Sequence, residues 1–148
     1  MNIAFDFDGI LRRSHLGMLK ICEDINSYEG FKIQSMINDQ ILNPMLFALK
    51  NDKIFIISNC SNDSSIKEKK NWLKHFFGNR VKFIPIIGFF DKWKKAYVDK
   101  VAKQKVDIML KLGIDIYFDD DPAIIRVMRS MTDKIKFVKY GSWIEEYY

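Results

Sequence analysis

The stretch Lys105–Pro122, KVDIMLKLGIDIYFDDDP, changes its hydrophobic period part-way along, and that change sets the architecture. Val106, Met109 and Leu110 recur at helical spacing and predict a short helix over 106–112, stopped by Gly113. Ile114–Phe118 then reads as an apolar strand. Asp121 followed by Pro122 reads as the N-cap and first residue of a further helix, which would bury Ile124, Ile125, Val127 and Met128. Helix, strand and helix in so short a span is the rhythm of an alternating α/β chain.

The same rhythm extends in both directions. Strand-like apolar segments lie at Asn2–Phe7, Lys53–Ser58, Val81–Ile87 and Lys134–Tyr140, making five in all with Ile114–Phe118. A helix is predicted over 36–50, with Pro44 as its start or a kink. The polar run Asn59–Ser65 leads into another, with Ile66, Leu73, Phe76 and Phe77 on one face and Gly78-Asn79 as its stop. A third begins near Asp91 and carries Trp93, Ala96, Tyr97 and Val101 on one side. The first, second and fourth strands are nearly continuous apolar runs, as expected of parallel strands covered on both faces. The expected fold is therefore a three-layer, doubly wound parallel sheet, in which ligands bind beyond the carboxyl ends of the strands.

Composition bounds the answer. The 148 residues fit one domain, 1–148, and 48% hydrophobic with 29% charged residues is the balance of a globular chain. The net charge of +5 favours anionic partners such as phosphorylated compounds, nucleotides or nucleic acid, although a lysine-rich solvated surface gives the same figure. Cys22 and Cys60 lack paired spacing, which argues against a zinc site or a disulfide framework. With no leader-like pattern and no apolar run of membrane length, the expected location is the cytosol, without membrane association.

Chemistry is then sought at the strand ends. The first strand ends in Asp6-Phe7-Asp8-Gly9, the second in Ser58-Asn59, and the fourth in Asp119-Asp120-Asp121. Carboxylates gathered on one edge repel each other unless a cation neutralises them, and hard oxygen ligands suit Mg²⁺. Singly, each piece has an ordinary alternative: a turn for the first acidic pair, a helix-capping serine for Ser58, a capped helix start for the triple aspartate.

In order and placement together, these segments resemble the haloacid dehalogenase (HAD) superfamily. That family has an apolar strand ending in Asp-x-Asp-Gly, a second strand ending in Ser or Thr, a lysine preceding a helix, and a fourth strand ending in two acids. Here those are Asp6–Gly9, Ile54–Ser58, Lys105 and Asp119-Asp120. The resemblance covers most of the chain. It departs at Ile10, where the family usually has Thr, a position that supports the loop.

The resemblance implies a HAD-like Rossmannoid sheet of strand order 5-4-1-2-3, with residues 10–35 as a flap or minimal cap. It implies a Mg²⁺-dependent phosphatase acting on a phosphate monoester through an aspartyl-phosphate. Asp6 would be the nucleophile and Asp8 the acid and base. Lys105 would neutralise charge, with Lys103 and Lys100 as competitors. Ser58, Asn59, Gly9 and Lys105 would bind the phosphoryl group, and Asp6, Asp8, Asp120 and Asp119 would serve the metal. An open site with a basic balance leans toward a nucleotide or nucleic-acid phosphate end, or toward a homo-oligomer that covers the site.

Other conspicuous residues have plainer readings. His15 and His75 read as surface residues, although His15 lies near the active-site loop by sequence. Cys60 lacks a paired His, and Trp72, Trp93 and Trp143 read as core or half-buried anchors. A receiver-type signalling domain would order its acidic pair, phosphoacceptor and lysine differently. A non-catalytic HAD-like nucleic-acid-binding or scaffold protein is the remaining alternative.

Overall fold

A computed structural model describes residues 1–7, 10–11, 51–60, 62–87 and 95–140, with the side chains of 95–97 excepted. Within them, five strands form one sheet: β1 (Asn2–Phe5), β2 (Lys53–Cys60), β3 (Val81–Ile87), β4 (Ile116–Asp119) and β5 (Lys136–Lys139). Their order is β3-β2-β1-β4-β5, and every pairing is parallel. This is the expected order, read from the other edge. Three helices connect them: α1 (Asp63–Phe77), α2 (Lys95–Leu112) and α3 (Pro122–Met131).

Alternation along the strands divides the interior into two layers. On one face Ala4, Phe55, Ile57, Tyr117 and Phe137 pack with Val101, Val106 and Met109 of α2 and Ile124, Ile125 and Met128 of α3. On the other, Ile3, Phe5, Ile54 and Ile56 pack with Trp72, Leu73 and Phe77 of α1. Trp72 stacks its edge against Phe7, with ring centroids 5.1 Å apart. Ile10, where Thr was the family expectation, is fully buried in this second cluster, so position ten contributes packing rather than a hydroxyl. Pro85 lies within β3, where an edge strand tolerates a missing donor.

Caps and stops follow the sequence. Asn62 accepts from the Ser65 N–H at the start of α1, and Asp121 accepts from Ala123 and Ile124 at the start of α3, with Pro122 in its first turn. Gly78 (φ 60°) and Gly113 (φ 64°) take the positive φ that favours glycine where α1 and α2 close.

Several expectations are corrected. The two helices expected before and after Val101 are one, α2, because Ala102–Lys105 contains no breaker. Lys105 therefore lies inside a helix instead of preceding one. Leu110, which shares the helical spacing of Val106 and Met109, is 42% exposed, while the buried stripe runs through Val101, Ala102, Lys105, Val106 and Met109. Strand β2 continues past Ser58 because Asn59 and Cys60 still pair with Ile86 and Ile87. The fourth strand begins at Ile116, since the Ile114 N–H turns back to Met109 to close α2. The helix expected over 36–50, nearly all of the 10–35 flap, the start of the Asp91 helix, Cys22, Trp93 and Trp143 lie outside the described residues.

Candidate active site

The carboxyl edge of the sheet is built by register. Phe5 of β1 lies level with Ile56 on one side and Phe118 on the other, and the Asp6 N–H then donates to the Phe118 carbonyl at 2.8 Å. Asp6 and Asp119, which directly follow Phe5 and Phe118, therefore come together at one end of the central strands. Asp6, Asp119 and Asp120 each bring a carboxylate oxygen within 4.8 Å of the others. Asp119 is 1% exposed and Asp120 4%. Ser58, 1% exposed, sits on the neighbouring strand.

Lys105 reaches this cluster from α2. It is 2% exposed, and its three ammonium protons have three oxygens in range. These are Tyr117 Oη at 2.7 Å, Asp119 Oδ2 at 3.1 Å and Asp6 Oδ1 at 3.2 Å. Tyr117 in turn donates to Asp119 Oδ2 at 2.7 Å, and the Asp121 N–H donates to Asp119 Oδ1 at 3.0 Å. Burial alone would lower the Lys105 pKa. The charges of Asp119 and Asp6, with their hydrogen bonds, override that and hold it above the ordinary lysine range. Tyr117 is also raised well above its ordinary value, first by burial and then by the nearby negative charge, so it stays a neutral donor. Asp121 is raised by its own burial and by Asp119, against the helix N–H groups that favour its charged form.

The second strand end carries a different arrangement. Lys69 of α1, 6% exposed, donates to Ser58 Oγ at 2.9 Å and to the Asn59 carbonyl at 3.0 Å. Its ammonium lies 5.4 Å from the centre of the Phe7 ring. The Asn59 Oδ1 is buried with no hydrogen-bond partner among the described residues. Cys60 is buried and donates weakly to the Ser58 carbonyl.

Asp6, Lys105, Asp119 and Asp120 are thus brought to one place, with Ser58 two residues before the end of the adjoining strand. Asp8 and Gly9 lie outside the described residues, as does His15. Lys103 is exposed and pairs with Asp107, and Lys100 is also exposed, so neither competes with Lys105 for the cluster. His75 is exposed, edge-on to Phe76, and Trp72 is core. Tyr117 and Lys69 escaped the sequence reading. Tyr117 stands two residues before Asp119 and so shares its face of β4. Lys69 occupies an inward position of the stripe through Trp72, Leu73 and Phe77, where an apolar residue is expected.

Among the described residues, three carboxylates with no nitrogen or sulfur donor form a hard-oxygen set, which fits Mg²⁺ better than zinc. Lys105 offsets part of the negative charge without occupying all the carboxylate oxygens.

Fold and site together define a class: a Rossmannoid α/β sheet with an acidic, lysine-bridged carboxyl edge. Among solved structures, the HAD domain of the effector protein Lem4 from Legionella pneumophila matches 99% of this chain and 88% of its own, at 17% identity and TM-score 0.54. An inactive mutant of that domain matches at 16% identity and TM-score 0.53, over 99% of this chain and 88% of its own. A chain of the Pnkp1/Rnl/Hen1 RNA repair complex matches over 96% of this chain and 43% of its own, at 13% identity and TM-score 0.58. No protein-family model and no curated protein matches the sequence. The chain has a HAD-like fold, as its motifs implied. Among the described residues, no helix is long and apolar enough to cross a membrane.

Proposed function

We propose that the protein is a Mg²⁺-dependent phosphohydrolase that cleaves a phosphate monoester through an aspartyl-phosphate on Asp6. The observation that carries this reading is the placement of the buried Lys105 ammonium between Asp6 and Asp119, with the Asp120 carboxylate alongside. A structural ion pair alone would not need a third buried carboxylate at the same strand ends, where α/β sheets bind ligands.

The chemistry asks for the approach of two anions. An Asp6 oxygen attacks phosphorus as the bond to the leaving oxygen breaks, and Asp8 gives its proton to that oxygen. Asp8 then takes a proton from water, which attacks the acyl phosphate, releases inorganic phosphate and regenerates the Asp6 carboxylate. Lys105 holds Asp6 in one orientation and offsets its charge. Ser58 donates to a phosphoryl oxygen, Asn59 lines the same pocket, and backbone N–H groups around Gly9 cradle the phosphate. Asp6, Asp120 and the Asp8 backbone carbonyl would hold Mg²⁺, with Asp119 as a further ligand or an acceptor for its water. When bound, the ion supplies positive charge against the phosphoryl oxygens. The net charge of +5 supports a nucleotide or nucleic-acid phosphate end as the substrate class.

The test is hydrolysis of an aryl phosphate by the full chain with Mg²⁺. Turnover abolished by EDTA, restored by Mg²⁺ and lost in Asp6→Asn is the expected result. Absence of turnover across a broad phosphate panel, with tight salt-sensitive nucleic-acid binding, would replace the enzyme with a binding module.

A further inference from the structure

The two buried lysines near the strand ends reach them from opposite layers, and only Lys105 has a counterpart in the motifs that the sequence shares with HAD proteins. We propose that Lys69 is a positioning residue of the phosphoryl pocket, fixing the Ser58 hydroxyl as a donor to the bound anion. This rests on the phosphohydrolase reading above and adds a determinant of phosphate affinity to it.

Three observations support the assignment. First, Lys69 is 6% exposed on a helix whose other lysines, Lys67, Lys70 and Lys74, are exposed. A lysine on an outer helix ordinarily extends into water, and holding its ammonium inside carries a desolvation cost. Second, its ammonium lies 2.9 Å from Ser58 Oγ, on the strand paired with the one that carries Asp6 at its end. An ammonium has three donors and no acceptor, so Ser58 can only accept from it. The remaining function of that hydroxyl is its single proton. Third, among the described residues the acceptor for that proton is the Asn59 carbonyl at 3.4 Å, long for an O–H···O bond, and Lys69 already donates to that carbonyl at 3.0 Å. A phosphoryl oxygen is the stronger acceptor and would draw the proton away.

The result is a relay of hydrogen bonds, from ammonium to hydroxyl to phosphoryl oxygen, in which each donor polarises the next. Lys105 is placed otherwise. Its three protons are directed at Asp6, Asp119 and Tyr117, so its charge acts on the nucleophile while Lys69 acts on the anion through Ser58.

The experiment is a double-mutant cycle on the full chain. The variants are Lys69→Met, Ser58→Ala and the pair, with Lys69→Arg as the conservative variant. The readouts are KM and kcat for an aryl phosphate, competitive inhibition by inorganic phosphate, and the Mg²⁺ concentration for half-maximal rate. Lys69→Met is expected to weaken phosphate inhibition and raise KM by about tenfold, as for one charge-assisted hydrogen bond. Half-saturating Mg²⁺ should stay unchanged. Ser58→Ala should do the same, the double variant should be no worse than either, and Lys69→Arg should recover part of the loss. Multiplicative losses, or phosphate inhibition untouched by Lys69→Met, overturn the proposal. If Lys69→Met does not fold, the cycle is run with Lys69→Gln, which keeps a donor without the charge and is expected to lose affinity on the same criterion. Wild-type protein without turnover removes the phosphohydrolase reading and this proposal with it. Turnover with no Lys69 effect removes this proposal alone.

Discussion

The two helical layers each send one lysine toward the carboxyl edge of the sheet, and they are bound in different ways. From α2, Lys105 enters a network of two carboxylates and a phenol. From α1, Lys69 donates to a hydroxyl and a carbonyl, both neutral. Removing a member of the first network leaves carboxylates buried beside one another. In the second it leaves the Ser58 hydroxyl and the Asn59 carbonyl, both neutral, without one donor. The electrostatic stake is therefore higher on the α2 side, and the comparison can be tested variant by variant.

The largest effect is expected for Lys105→Met. Asp6 and Asp119 would lose the cation between them, with a stability loss of about 3–5 kcal/mol in urea unfolding and a fall in kcat on the order of 10²-fold or more. Lys69→Met should unfold at a distinctly higher urea concentration than Lys105→Met, since the groups it leaves cost about 1–3 kcal/mol. Equal losses would break the distinction drawn here. Tyr117→Phe is expected to be of similar size, about 1–3 kcal/mol, because it takes one hydrogen bond from Lys105 and one from Asp119. Asp121→Ala, which removes the cap of α3, should cost about 1 kcal/mol.

The same network fixes a pH dependence in the metal-free protein. Lys105 and Tyr117 both have folded-state pKa values raised above their unfolded ones. The folded chain thus keeps protons that the unfolded chain releases above about pH 10. The stability they contribute is complete below that point and is lost as pH rises through the folded values. Melting temperature should hold from about pH 8 to about pH 10 and fall above it, and the fall should be less steep in Lys105→Met.

How much of this was legible in the sequence divides along the same line. The five strands follow from apolar runs, while their order and the gathering of Asp6, Lys105, Asp119 and Asp120 follow from the family resemblance that the motifs carry. The split of α2 into two helices failed because Lys103, Gln104 and Lys105 look like a polar interruption, whereas their helix propensity is high and one of them faces inward. Tyr117 reads as an ordinary strand aromatic, and only register shows its hydroxyl between Lys105 and Asp119. Lys69 is one lysine among many on a basic chain. Its burial depends on Ser58 and Phe7, which are distant in sequence and close only in the fold.

Acid quench of the enzyme during turnover of an aryl phosphate with Mg²⁺, followed by peptide mass spectrometry, addresses the central claim most directly. The expected result is one phosphoryl group on the peptide containing Asp6, absent without Mg²⁺ and absent in Asp6→Asn. Undiminished turnover in Asp6→Asn, with that peptide unmodified, would contradict it.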